Sequence, residues 1–250
     1  MTESTPLPTR LGKSPLVEAL FEIRFESGIP ASSVLSGFLY TQLKCTEILR
    51  MPHADIPDQL RQGDPNLVHA PLVRLKWDQY YISLGDRNIV VSSGYPYSGW
   101  EVFKKRIQTI LEHCATLNII KSVERYSLKY LDIFDMPGFS ADGSGLAFGI
   151  NFPKLKPNPL NTHMKIEIPE EDRIHIVQYF GEAQGSLPGG LLKKGLMLDV
   201  DSIQTIGHLE FPQFMGEHDK RLNELHMSNK TLFFNLISHK GLESLEPSYE

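Results

Sequence analysis

The sequence predicts an α+β fold on antiparallel strands, with a strand–helix–three strands–helix unit used twice to build a curved sheet carrying helices on one face. Three observations support this. Apolar and polar residues alternate with period two through two long segments, Leu16 to Phe25 and Val123 to Phe134. Short strand-like runs with turn residues between them follow each segment. Each series then closes on an apolar stripe at helical spacing, over residues 98–116 and 212–238.

Residues 1–15 are rich in Pro, Thr and Ser and read as a flexible tail. In the first long strand Val17, Ala19, Phe21, Ile23 and Phe25 fall on one face. Glu18, Leu20, Glu22 and Arg24 fall on the other. After the Gly28-Ile-Pro30 break, Ser32 or Ser33 can cap a helix whose apolar residues are Leu35, Phe38, Leu39 and Leu43. Residues 51–70 hold three prolines and no clear period, and are expected to be a loop. A meander follows, with strands at Val73–Trp77, Tyr80–Leu84 and Ile89–Ser92.

The clearest helix starts near Ser98, where Glu101 can complete a capping box. Its stripe is Trp100, Phe103, Ile107, Ile110, Leu111 and Cys114. In the second long strand Tyr126, Leu128, Tyr130 and Phe134 share a face, against Arg125, Ser127, Lys129 and Leu131. Residues 135–160 read as a long excursion, with a short strand expected at Ala147 to Phe152. Strands are then expected at Met164–Ile168, Arg173–Phe180 and Leu196–Asp201. A last helix runs from Pro212 to Ser238 with Leu222, Leu225, Asn229, Leu232, Phe233 and Leu236 as its stripe, and Gly241 as a natural stop.

The repeated element order divides the chain into a first α+β repeat at 16–120 and a second at 121–250. This order resembles the saddle of the TATA-binding-protein type and its helix-grip relatives. In such folds the first strands of the two repeats are sheet neighbours, so Glu18 and Glu22 are expected to face Arg125 and Lys129.

At 250 residues the chain can bury a sizeable core without disulfide staples. Its composition, 41% hydrophobic and 22% charged, excludes global disorder. A formal charge of −5 argues against a dominant phosphate-backbone binder while leaving room for a local basic patch. The N-terminal residues do not form a signal peptide, and no apolar run reaches membrane-span length. A cytoplasmic protein with free thiols at Cys45 and Cys114, and no membrane partner, is expected.

Several segments are also familiar. Lys13-Ser-Pro-Leu-Val-Glu-Ala-Leu-Phe-Glu-Ile-Arg-Phe25, Tyr97-Ser-Gly-Trp100-Glu101-Val-Phe103 and Tyr126-Ser-Leu-Lys-Tyr-Leu-Asp-Ile-Phe134 stand with Leu222-x-x-Leu225-His226 and Leu232-Phe-Phe. Together they resemble a sporadically distributed family of uncharacterised prokaryotic proteins of about this length. The chain departs from that family at Ser127-Leu-Lys-Tyr-Leu-Asp132, where Gly-Leu-Arg-Tyr-Ile-Asn is usual. The resemblance implies an accessory gene that moves between genomes, as phage-defence and toxin–antitoxin components do, and brings with it no known activity or catalytic residues.

Metal, phosphate and nucleophile signatures are weak. His218 and His226 lie eight residues apart, beyond the usual pairing of helical zinc ligands, so a solvated polar face is the simpler reading. Gly185-Ser-Leu-Pro-Gly-Gly190 with Lys193-Lys194 lacks the Gly-Lys-Ser/Thr order of a phosphate loop. Gly143-Ser144-Gly145 lacks nucleophile-elbow spacing, and Cys114 sits on an apolar stripe. No cofactor or metal is therefore expected.

Two constellations remain as candidate binding residues. Glu18, Glu22, Arg24, Arg125 and Lys129 share the charged face of the long strands. Their carboxylates can act as acid and base, although cross-strand ion pairs are the commoner use. Trp77 and Tyr81, among Tyr80, Tyr95, Tyr97 and Trp100 and near Arg74, Lys76 and Arg87, can form a stacking surface for single-stranded nucleic acid; core packing is the alternative. The leading expectation is a non-enzymatic binding or regulatory protein that holds a partner protein, with the product of a neighbouring gene as the candidate. Phe214 and Met215 are candidate homodimer contacts. A nucleic-acid binder using the concave sheet face and a hydrolase using the strand carboxylates are the rivals.

Overall fold

The computed structural model describes residues 6–140, 144–149, 154, 158–187 and 190–249. Strands β1 (Arg10–Leu11), β2 (Leu16–Ser27), β3 (Glu47–Arg50), β4 (Val73–Trp77), β5 (Tyr80–Leu84) and β6 (Asn88–Ser92) lie in the first half. The second half holds β7 (Ile120–Phe134), β8 (His163–Glu170), β9 (Arg173–Ser186), β10 (Leu192–Glu210) and β11 (Pro247–Ser248). The helices are α1 (Ala31–Gln42), α2 (Asp58–Gly63), α3 (Trp100–Leu117), α4 (Pro137–Ser140), α5 (Phe211–Leu236) and α6 (His239–Ser244).

Nine strands form one antiparallel sheet in the order β3-β4-β5-β6-β2-β7-β10-β9-β8. Outward from its centre the sheet runs β2-β6-β5-β4 on one side and β7-β10-β9-β8 on the other, so the same four-strand order occurs twice, with β3 added at the edge of the first. The opening strands of the two units are direct neighbours, in antiparallel register from Leu16↔Asp132 to Ser27↔Ile120. That adjacency was the requirement set by the duplicated-saddle reading.

Period-two alternation puts the apolar side of both long strands under the helices. Ala19, Phe21, Ile23 and Phe25 of β2 join Val123, Tyr126 and Leu128 of β7 in a core that takes in the buried faces of α1 and α3 and the start of α5. A second core gathers Phe134, Val177, Tyr179, Leu196, Leu198 and Val200 beneath Leu236, Ile237 and Leu245. Of the expected α3 stripe, Phe103, Ile107, Ile110, Leu111 and Cys114 are buried, each large side chain worth about 1.5–3 kcal/mol before entropy. Trp100 is only partly buried, because it borders a cavity.

Several expectations are corrected. Val17 does not share the Ala19 face: a bulge between Leu16 and Glu18 turns it to the opposite side, where it packs with Ile133 and Leu187. Part of the expected tail is ordered, since Arg10–Leu11 pairs with Pro247–Ser248. Helix α1 begins after Pro30 with no side-chain cap, and Ser32 donates its hydroxyl to Asp86 instead. Helix α3 lacks the expected capping box. Gly99, at φ 92°, is its N-cap, Ser98 Oγ accepts from Gln79, and Glu101 pairs with Lys104 at 3.2 Å.

The residues around Thr46 give no strand signal, yet β3 follows as an edge strand whose four residues are all exposed. The expected loop at 51–70 contains a 3₁₀ turn at Pro52–Asp55 and the short α2. Ala147–Gly149 is not strand, and the rest of that expected strand lies outside the described residues. Gly241 does not stop α5, which ends at Leu236. It lies within α6, so close to Gly145 that a Cβ would meet the Gly145 carbonyl oxygen at 2.2 Å. Among the described residues no helix is long and apolar enough to cross a membrane.

Candidate functional site

The two cores do not merge. Between them, where α5 passes over β7, lies a cavity of about 690 Å³. Its floor comes from β7, which presents Tyr130 and Asp132 on the helix-facing side of its alternation. One wall is the start of α3 with Tyr97, Ser98, Gly99 and Trp100. The other is one face of α5, with His226, Asn229, Lys230 and Phe233. The segment from Pro8 to Leu16 closes a side, held there by the β1–β11 pairing.

Aromatic and imidazole groups dominate one end. The Trp100 and His226 rings are stacked, with centroids 4.2 Å apart and planes 7° from parallel. Trp100 Nε1 donates to Asn223 Oδ1 at 3.2 Å, and Lys104 donates to the same oxygen at 3.0 Å. The Tyr130 hydroxyl is hydrogen-bonded to His226 Nδ1 at 3.0 Å and lies 3.5 Å from the Tyr97 hydroxyl. Burial, reinforced by the charges of Lys230 and Lys104, pushes the His226 imidazole down to about 4. Burial also raises both phenols above their usual range. At neutral pH the cluster is uncharged and internally satisfied.

The other end is not. Asp132 is 3% exposed, and among the described residues its carboxyl group makes no hydrogen bond or ion pair. Burial, offset in part by Lys193 and reinforced by Asp199, pushes it up to about 8, so the group is mostly protonated at pH 7. Lys230 also lines the cavity without an ion pair or hydrogen bond among the described residues, and burial lowers its ammonium pKa. Perturbed titratable groups in a cleft with aromatic walls are what a binding or catalytic site uses.

Asn229 holds this wall in place. Only 1% exposed in mid-helix, its Nδ2 lies 3.0 Å from the carbonyl oxygens of Leu128 and Val200 and 2.8 Å from Ser202 Oγ. Ser202 continues to His175 Nδ1 at 2.8 Å, and His175 Nε2 reaches Glu170 at 2.9 Å and Ser228 at 3.2 Å. Ser202 is fully buried, so this chain of contacts clamps α5 to β9 and β10.

The charged residues singled out from the sequence lie elsewhere. Glu18, Glu22, Arg24, Arg125 and Lys129 do share the sheet face opposite the helices. Glu22 receives Arg125 Nη2 at 3.0 Å and Arg24 Nε at 3.1 Å, and accepts from Asn88 Nδ2 at 3.1 Å. Burial works to raise its carboxyl, but those three partners hold it below the usual range. Arg24 and Arg125 stand directly opposite each other in register, with Glu22 between their charges. Lys129 pairs with Asp199 at 3.1 Å rather than with Glu18, which burial raises despite Ser92, Arg74 and Lys129 nearby. His69, unremarked in the sequence, borders this cluster and is pushed down to about 4 by burial and then by Arg24.

Trp77 and Tyr81 do not form one surface. Trp77 is buried on the helix side, with the Arg106 guanidinium 4.3 Å from its ring centroid, whereas Tyr81 lies on the opposite face near Arg74. Phe214 is fully buried against Tyr126 and Met215 packs on the same core, so Phe214 offers no dimer contact. Cys114 is buried and pushed up to about 12 by that burial, and both thiols are free. His218 is bound to the Met215 carbonyl and does not meet His226. Among the described residues, Glu26, Glu124 and His208 form a metal-compatible group of side chains, the two end members exposed.

Neither the five charged strand residues nor Trp77 and Tyr81 line the cavity, whereas Tyr97 and Trp100 of the expected aromatic constellation do. One signal in the sequence did point there: a carboxylate at position 132, at a core-facing step of an otherwise aromatic and aliphatic alternation. No protein-family model matches this chain, and no match is found among curated proteins.

Proposed function

We propose that this protein is a non-enzymatic binding module that takes up a small ligand in the cavity between α3, α5 and β7. The observation that carries the reading is Asp132. A buried carboxyl group without a partner costs about 1–3 kcal/mol even when neutral, and folds retain such groups chiefly where a ligand completes them. The cavity volume is in the range of small-molecule sites, roughly 300–1,000 Å³. All five segments that carry the family resemblance contribute to its lining, through Leu16, Tyr97, Trp100, Tyr130, Asp132, His226 and Phe233. In the accessory-gene setting which that resemblance implies, ligand occupancy would be read out by a partner protein.

The test is a thermal-shift panel of metabolite-sized acids, amines, zwitterions, nucleosides and sugars, run on the wild type and on Asp132→Leu. The expected result is at least one chemical class that raises the wild-type Tm and leaves the variant unmoved. A panel with no response from the wild type would sink the reading.

A partner-protein reading draws on a different observation. Among the described residues strand β3 is paired on one side only, and it exposes Ile48 and Leu49 by about half, an edge to which another chain can add a strand. A pull-down from the native host should recover a protein with the wild type and lose it with Ile48→Lys. Recovery that is equal for both would exclude this edge. The rival readings gain less. Glu22 is committed to two arginines, and the aromatic residues proposed for base stacking are divided between the two faces of the sheet.

A further inference from the structure

We infer that the ligand of this cavity is a small zwitterion of amino-acid or dipeptide size, its amine meeting Asp132, its carboxylate meeting Lys230 and an aromatic body lying between. This rests on the binding reading above and names its ligand class. The two groups lie in one cavity, one on the strand floor and one on the helix wall. Among the described residues neither is paired with the other or with anything else. A ligand that is only an anion leaves Asp132 unsatisfied, and one that is only a cation is repelled by Lys230 without relieving it. A zwitterion satisfies both and keeps the complex near neutral, which limits the desolvation penalty.

The rest of the wall fits. Tyr130, His226 and Tyr97 satisfy one another. Trp100 and Phe233 offer ring surface, and the amide Oδ1 of Asn229 accepts no hydrogen bond among the described residues, leaving an acceptor for a multi-donor ammonium. Arg10 at the exposed rim adds positive charge that favours a carboxylate.

An arriving ammonium ion should ionise Asp132. The charged and titratable groups around it are Lys193 on β10, Asp199 across the sheet, Tyr130 on its own strand, Tyr97 near α3, His226 and Lys230 on α5, and Arg10. Of these, Lys193 favours the ionised carboxylate and Asp199 opposes it. Its proton is then released to solvent as the amine binds.

The experiment is calorimetric titration of the full chain at about pH 6.5, where Asp132 is mostly protonated, in two buffers of different ionisation enthalpy. The probes are L-alanyl-L-phenylalanine, its N-acetyl form and its C-terminal amide. The free dipeptide should bind with release of close to one proton, and each blocked form should bind at least about tenfold more weakly. Asp132→Asn should erase the preference over the N-acetyl form, and Lys230→Met the preference over the amide. Blocked forms that bind within about twofold of the free peptide would overturn the zwitterion assignment. So would silence from all three peptides alongside a thermal-shift response to another class, which would leave the binding reading standing. Silence in both experiments would remove both.

Discussion

Glu22 and Asp132 stand on adjacent strands of one sheet, on opposite faces, and their carboxyl groups meet opposite surroundings. Glu22 is wedged between Arg24 and Arg125, accepts a further hydrogen bond from Asn88, and is held ionised. Asp132 faces a cavity between two cores, has no partner among the described residues, and is held mostly neutral. The difference separates two uses of a buried acid. On the charged face the carboxylate offsets a pair of arginines that would otherwise repel each other across the strands, a structural duty. On the cavity side nothing in the fold requires an acid, and the group is free to meet something from outside.

The widest test of this contrast is pH. Over the window between its ordinary carboxylate range and about 8, native Asp132 keeps a proton that the unfolded chain has released, so wild-type stability falls as pH rises through that window. Asp132→Asn holds no such proton. Its advantage over the wild type should therefore grow by roughly 4 kcal/mol between pH 5 and pH 8, seen as diverging urea midpoints. A constant difference would mean that Asp132 is solvated. Glu22 runs the other way: its folded pKa is depressed, so its contribution is present above the unfolded value and is lost as pH falls through the folded one.

Next in size is Asn229→Ala. Two strand carbonyls and the Ser202 hydroxyl would lose their donor, and the fold should lose about 3 kcal/mol by chemical denaturation. Retained stability would show that water replaces the amide and that the wall of the cavity is not held from α5. Glu22→Gln should then cost about 2 kcal/mol at neutral pH by leaving Arg24 opposite Arg125. The same acid-to-amide change at the two sites thus has opposite signs, and equal signs would break the comparison. The smallest effect is Lys230→Met. An unpaired, partly desolvated ammonium should be replaced with a gain of about 0.5 kcal/mol, while ligand affinity falls.

Much of the architecture was legible because long strands advertise their faces. The alternation in β2 and β7 was enough to place the charged residues on one side and the core on the other, and the repeated element order anticipated their adjacency in the sheet. Val17 was misplaced because a bulge depends on the register with a partner strand, which no single segment contains. Strand β3 was missed because an edge strand with four exposed residues has no buried face to impose a period. The cavity was hidden for a related reason. It is made from what three elements leave unfilled, and His226, Asn229 and Lys230 look like ordinary helix residues until β7 lies beneath them. Its spacing places Asn229 on the buried stripe of α5, but its role as a donor appears only with the strands in place.

The central β2–β7 pairing has a consequence for the order in which the chain can fold as it is made. Leu16 pairs with Asp132, more than a hundred residues away, whereas Leu20 finds Ser92 on β6 much sooner. During synthesis the first five strands of the sheet, β2 to β6, can close while β7 is still absent, leaving the long inner edge of β2 with its backbone groups open. Until the second unit emerges, that edge is the surface most able to capture the β2 of another nascent chain, so yield on expression should depend on translation speed between residues 93 and 134.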